Sequence, residues 1–203
     1  MKRLTTYLAA ALLSMAFSWA HAGDVAAIMD GCNECHGEGG VSQSTEIPTL
    51  AGYPEFVHAD ALYLYQDEGR PCVDSEYQAG DTSRPATNMC KIAAELSEDD
   101  IDAVAAAYAE LPYVKAKQEF DPALAATGEA LHNEHCDKCH SDAGTNVDDE
   151  AGMLGGQQMG YLRQSFDQYA AGSRPQPKKM QEIFAMLSAA DLDALANYYG
   201  SIQ

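Results

Sequence analysis

Positive charge is scarce in this chain. Lys and Arg number 12 against 31 Asp and Glu in 203 residues, for a net charge of −19. Such a field repels nucleic acid and anionic membranes and favours a basic partner in salt-sensitive association. Solubility is the alternative use of the same acidity. Long apolar runs are also missing, because nothing after residue 22 approaches the length of a membrane-spanning helix. No G-x-G-x-x-G turn follows a strand, which excludes a flavin- or nicotinamide-binding subunit of the usual kind. No segment reads as a persistent strand, and the class is all-α.

One short apolar run, Tyr7 to Trp19, follows Lys2 and Arg3 and precedes the small-x-small site Ala20-His21-Ala22. That order marks residues 1–22 as a secretory signal peptide, with a retained anchor as its rival. Its removal takes away Lys2 and Arg3 and makes the remainder two units more negative. The expected compartment is the periplasm.

The six cysteines fall into two kinds. Cys32-Asn33-Glu34-Cys35-His36 and Cys136-Asp137-Lys138-Cys139-His140 both read C-x-x-C-H, the attachment signature of c-type haem. In each, two thiols on one helical turn can form thioethers to one porphyrin, and the next residue offers an imidazole to its iron. Zinc or a thiol redox pair is the alternative reading of the cysteines, but the histidine that follows each pair and the export signal favour haem. The expected cofactors are therefore two covalently bound haem c groups, held by Cys32, Cys35, Cys136 and Cys139, with His36 and His140 as iron ligands.

The chain also repeats itself. Leu50–Pro71 aligns without a gap to Leu154–Pro175, and Ser97–Tyr108 aligns with Ser188–Tyr199. The last pair reads as amphipathic helices, apolar at Ile101, Val104, Ala105 and Tyr108 and at Leu192, Leu195, Ala196 and Tyr199. Ser97 with Asp100 and Ser188 with Asp191 predict capping boxes. Pro112 and Pro122 bracket a polar join, so the expected domains are 23–112 and 113–203, with 113–121 as linker and helix resuming at Pro122.

Methionine is the usual partner of histidine in electron-carrying cytochromes. Among Met29, Met89, Met153, Met159, Met180 and Met186, only Met89 and Met180 stand in matched places, each after an Arg-Pro loop and before the last helix. They are the expected sixth ligands, and Met186 is expected in the core. A carbonyl in the Pro48–Leu50 segment is placed to accept from the His36 ring; the second half has Gly152-Met153-Leu154 there, without the proline. His58, His132 and His135 read as surface or cap residues.

Cys72 and Cys90 open and close an insertion between Pro71 and Met89 that the second half lacks. In an oxidising compartment a disulfide stapling this loop beside Met89 is favoured; the rival is a thiolate pair holding copper or another metal.

On these residues the chain resembles the two-domain dihaem cytochromes of the cytochrome c4 type. It is more similar still to the dihaem subunit of flavocytochrome c sulfide dehydrogenase, through Ala116–Asp121, Thr127-Gly128, Leu131-His132 and Lys178-Lys179-Met180. The Cys72–Cys90 loop departs from that pattern. The resemblance implies two class I cytochrome c domains about a pseudo-twofold axis, with propionate edges near the interface. It implies redox-protein partners: a sulfide-oxidising flavoprotein as donor and a cytochrome or oxidase as acceptor. A free shuttle to a terminal oxidase is the alternative, and a dihaem enzyme, such as a peroxidase, is a third.

Overall fold

The structure, a computed structural model, describes residues 24–203. The expected signal peptide lies outside the described residues. Among these, no helix is long and apolar enough to cross a membrane.

The first half runs through α1 (Val25–His36), α2 (Glu55–Gln66), the short α3 (Met89–Ala93) and α4 (Glu98–Ala109). The second runs through α5 (Pro122–His135), a single turn α6 (Ser141–Gly144), α7 (Met159–Ala170), α8 (Lys178–Phe184) and α9 (Ala189–Ser201). Extended pairing among the described residues is confined to one isolated bridge, Ser75 with Thr87. The all-α expectation is met.

Local chemistry sets the helix ends. Asp24 caps α1 and Asp121 caps α5, where Pro122 fills the first turn. Ser97 with Asp100 and Ser188 with Asp191 form complete capping boxes on α4 and α9. In each half the last helix crosses the helix that leads to the C-x-x-C-H. Ile101, Val104, Ala105 and Tyr108 bury one face of α4, while Leu192, Leu195, Ala196 and Tyr199 join Leu162 and Phe166 in the second core.

The α5–α9 crossing is unusually close. A Cβ on Gly128 would stand 2.1 Å from the Ala194 carbonyl oxygen and 2.7 Å from Tyr198 Cβ. Only glycine fits there.

The repeat is legible in backbone hydrogen bonds. Leu50 N and Ala51 N donate to Gly40 O, as Leu154 N and Gly155 N do to Gly144 O. Gly52 N donates to Tyr108 O, as Gly156 N does to Tyr199 O. After each C-x-x-C-H the chain turns through left-handed backbone, at Gly39 and Gly40 in the first half and at Ala143 and Gly144 in the second. Ala143 adopts φ 59° where its counterpart is glycine, a conformation that costs an L-residue about 1 kcal/mol.

Candidate haem sites and the seam between them

In the first half α1 delivers Cys32, Cys35 and His36 on one helical turn. His36 is buried, and its Nδ1 lies 2.8 Å from the Pro48 carbonyl oxygen. A carbonyl can only accept, so Nδ1 carries the proton and Nε2 keeps its lone pair for a metal. Burial pushes the His36 pKa down, opposed by the Pro48 carbonyl, which keeps the ring neutral and ligating. Tyr108 of α4 donates to Asn33 Oδ1 at 2.9 Å, beside Cys32, whose thiol pKa burial raises.

The second half repeats the plan, but its motif Cys136–His140 lies in the turn after α5 rather than on the helix, and one joint is looser. Tyr199 of α9 stands beside Cys136 as Tyr108 stands beside Cys32, and burial raises the Cys136 thiol pKa. His140 has Gly152 as the backbone acceptor that favours its charged form, while burial pushes its pKa down. The geometry falls short of a hydrogen bond, so the buried Nδ1 is left unpartnered. The proline that fixes the carbonyl beside His36 is what this half lacks. Two thiols and one neutral imidazole per turn match the donor set of a c-type haem. The residues present fit that group at both sites.

Met89 opens α3 directly before Cys90, and Met180 lies in the first turn of α8; both are half-buried. Cys72 and Cys90 are joined in a disulfide, with Cα atoms 5.6 Å apart, so the copper alternative falls. Met186 differs from its expected place in the core: it lies 66% exposed in the turn after α8.

Two histidines are buried rather than on the surface. His58 on α2 is 2.9 Å from the Leu50 carbonyl through Nε2 and sits between the rings of Tyr53 and Tyr108. Burial brings its pKa down to about 4. His132 on α5 is 1% exposed, with Nδ1 3.0 Å from the Tyr199 hydroxyl and Nε2 3.5 Å from Asp137. Each half thus places a second neutral histidine near its C-x-x-C-H histidine, but from a different helix. Their repeat counterparts are Leu162 and Ile28, so the duplication hides both. His135 is only half-buried and lies 3.8 Å from Glu134.

Between the halves runs a polar seam. Tyr53 and Gln157 occupy matched positions and meet at 2.6 Å across the pseudo-twofold axis. Tyr53 donates to the Met153 carbonyl at 2.6 Å, while Gln157 brackets Thr49, accepting from its N–H at 2.9 Å and donating to its carbonyl at 3.1 Å. Gln158 reaches Ser42 O at 2.8 Å, and Tyr161 N reaches Thr45 O at 2.8 Å.

Beside this seam two arginines face one phenol. Arg70 lies 4.4 Å over Tyr65, and its counterpart Arg174 lies 4.5 Å over Tyr169. Their positive charges act together on the Tyr161 phenol. Burial would raise the Tyr161 pKa, but the charges of Arg174 and Arg70 outweigh it and hold the phenol at about 7. Arg70 is buried with an unpartnered Nε.

Four likenesses bear on this arrangement. The reduced recombinant cytochrome c4 from Pseudomonas stutzeri superposes with a TM-score of 0.70 at 26% identity, covering 90% of this chain and 100% of that one. In fold and motifs the chain is similar to the dihaem cytochromes of the c4 type. Cytochrome c4 from Acidithiobacillus ferrooxidans has the same fold, with a TM-score of 0.70, 23% identity, and 85% of this chain and 99% of that chain covered. A thiosulfate dehydrogenase, TsdBA, from Marichromatium purpuratum matches at a TM-score of 0.64 and 24% identity, over 84% of this chain but 36% of that one. Among curated proteins, a "thiosulfate dehydrogenase electron acceptor" of Stutzerimonas stutzeri is 28% identical over 182 residues, which is 84% of this chain and 78% of that protein. No family model matches the cytochrome.

The cytochrome carries two covalent haem c groups in two tandem cytochrome c domains, and it transfers electrons rather than catalysing a reaction itself. Sequence reasoning found both attachment motifs and missed the Arg70–Tyr161–Arg174 group. The repeated Arg-Pro pair was the available signal, but Tyr161 faces Val57 in the alignment and gave none.

Proposed function

We propose that this cytochrome works in the periplasm as the one-electron acceptor of a dehydrogenase that oxidises a reduced inorganic sulfur compound. It passes the electrons to a cytochrome or oxidase. In this reading Cys32, Cys35, Cys136 and Cys139 hold the two haems as thioethers, His36 and His140 bind the irons on one side, and Met89 and Met180 on the other. The domains divide as 23–112 and 113–203. When bound, the haem supplies a reversible Fe(III)/Fe(II) couple. The chain's part is to orient each imidazole, exclude water from it and hold the halves in register.

The observation that carries the reading is the pairing of His36 Nδ1 with Pro48 O inside a duplicated C-x-x-C-H frame. That frame supports electron transfer. The choice of donor leans on the relative named as a thiosulfate dehydrogenase electron acceptor. Thiosulfate therefore stands ahead of sulfide as the donor's substrate, and the sulfide-oxidising flavoprotein inferred from the sequence resemblance becomes the second reading.

Rapid mixing of the oxidised cytochrome with a thiosulfate dehydrogenase and thiosulfate is expected to reduce both haems at catalytic rates. Fast reduction only by a sulfide-oxidising flavoprotein would turn the assignment to the second reading. For the ligands, Met89→His and Met180→His are each expected to lower one potential by roughly a few tenths of a volt. Each would also remove half of the methionine–iron absorption band. A variant that leaves both potentials in place would remove that methionine from the ligand set.

A further inference from the structure

The insertion between Arg70 and Met89 does not hang free: it is fastened to the first attachment motif itself. Gln78 N and Ala79 N both donate to the Glu34 carbonyl at 2.9 Å. Arg84 forms an ion pair with the Glu34 carboxylate, and its guanidinium lies 3.6 Å over the Tyr77 ring. Gly80, at φ +69°, has no room for a Cβ, which would stand 2.6 Å from Glu34 Oε1. These contacts lie directly beside Cys35, which is half-buried.

The loop is rigid enough to act as a cover. Ser75 and Thr87 pair through bonds of 2.7 and 3.0 Å, Asn88 bonds Asp74 at 2.8 Å, and the Cys72–Cys90 disulfide closes the base. The second half has none of this. Position 138, the counterpart of Glu34, is an exposed lysine, and Cys139 is exposed where Cys35 is half-buried.

A thioether fixes a porphyrin edge at its cysteines, so whatever covers Cys35 covers that edge of the first haem. We propose that the 72–90 loop closes the first haem's thioether edge to redox partners, so that partners exchange electrons at the open Cys139 edge of the second site and the first haem is reached from the second. Each exchange moves one electron from a reduced partner onto ferric iron, which becomes ferrous; no bond forms or breaks and no proton is transferred. The inference rests on the haem attachment and ligation given above.

The test uses the full holo-protein and an inert paramagnetic cation, hexaamminechromium(III), with proton NMR of the haem methyl resonances assigned to each site. In the native protein the methyls beside the second site's thioethers are expected to broaden several-fold more than those of the first. Arg84→Gln, and separately Glu34→Gln, are expected to raise broadening at the first site several-fold and leave the second unchanged. Equal broadening at both sites of the native protein would overturn the cover, even if neither variant folds. Unchanged broadening at the first site in both folded variants would overturn the role of the Glu34–Arg84 anchor and the proposal with it. Failure of the underlying assignment reads differently, as a missing haem or missing methionine ligation at one site.

Discussion

Gln157→Ala is expected to lower the stability of the cytochrome by about 3 kcal/mol. Gln157 is fully buried, and its amide answers four polar groups at once: Thr49 N, Thr49 O, the Tyr53 hydroxyl and Gln158 N. Alanine would leave those groups sealed from water without their partner, at about 1–3 kcal/mol for a neutral group that stays unsatisfied. Four such groups lose their partner together, but relaxation of the seam holds the sum to the upper end of the range for one, about 3 kcal/mol. The measurement is denaturant unfolding followed at the haem absorbance of both sites. Because the bonds cross between the halves, the transition is expected to separate into two steps as well as to move. A double-mutant cycle with Tyr53→Phe isolates the pair, with a coupling on the order of 1 kcal/mol. A single unshifted transition would show that the halves are held by something other than this seam.

Gly128→Ala is the second large effect, and its cause is crowding. The new methyl would stand 2.1 Å from the Ala194 carbonyl oxygen and 2.6 Å from its carbon, both backbone atoms on a buried face of α9. Neither can swing aside, so α5 and α9 must separate. Overpacking of this kind costs typically about 1–3 kcal/mol, and the backbone partners place this site at the upper end. In a protein of this size that corresponds to roughly 6–12 °C in Tm. The loss is expected in the second half's transition, with reduced haem loading at Cys136 and Cys139. Thermal unfolding within a degree of the native value would mean that the crossing is looser than it stands in the structure.

Much of this was legible from residues alone, for a physical reason. Haem attachment, capping and helix amphipathicity are short-range grammar: Cys32 to His36, Ser97 to Asp100 and Ile101 to Tyr108 are each decided within a few turns. The duplication then transfers every such reading from one half to the other. What stayed hidden was long-range or asymmetric. Gln157 touches Thr49 and Tyr53 only because two domains meet across an axis, and nothing around Gln157 in the sequence encodes that meeting. His58 and His132 each face an aliphatic counterpart in the repeat, which disguised them as unmatched polar positions. Met186 failed in the opposite sense: an apolar side chain two residues before a helix cap reads as core, yet the turn carries it outward.

The segment between Pro112 and Pro122 has a consequence beyond joining two units. It passes first against Gly52, where Tyr113 N would lie 2.4 Å from an added Cβ, and then against the matching Gly156, where Lys115 leaves equally little room. Ala116 N then bonds Gly156 O at 2.7 Å, and Gln118 ties it to Gln157 O and Met159 N. Pressed onto equivalent glycines of both halves, it is a splint and not a tether. The spacing of the two attachment motifs is then fixed by the fold, so that haems held at Cys32–His36 and Cys136–His140 would pass electrons between them without any movement of one half against the other.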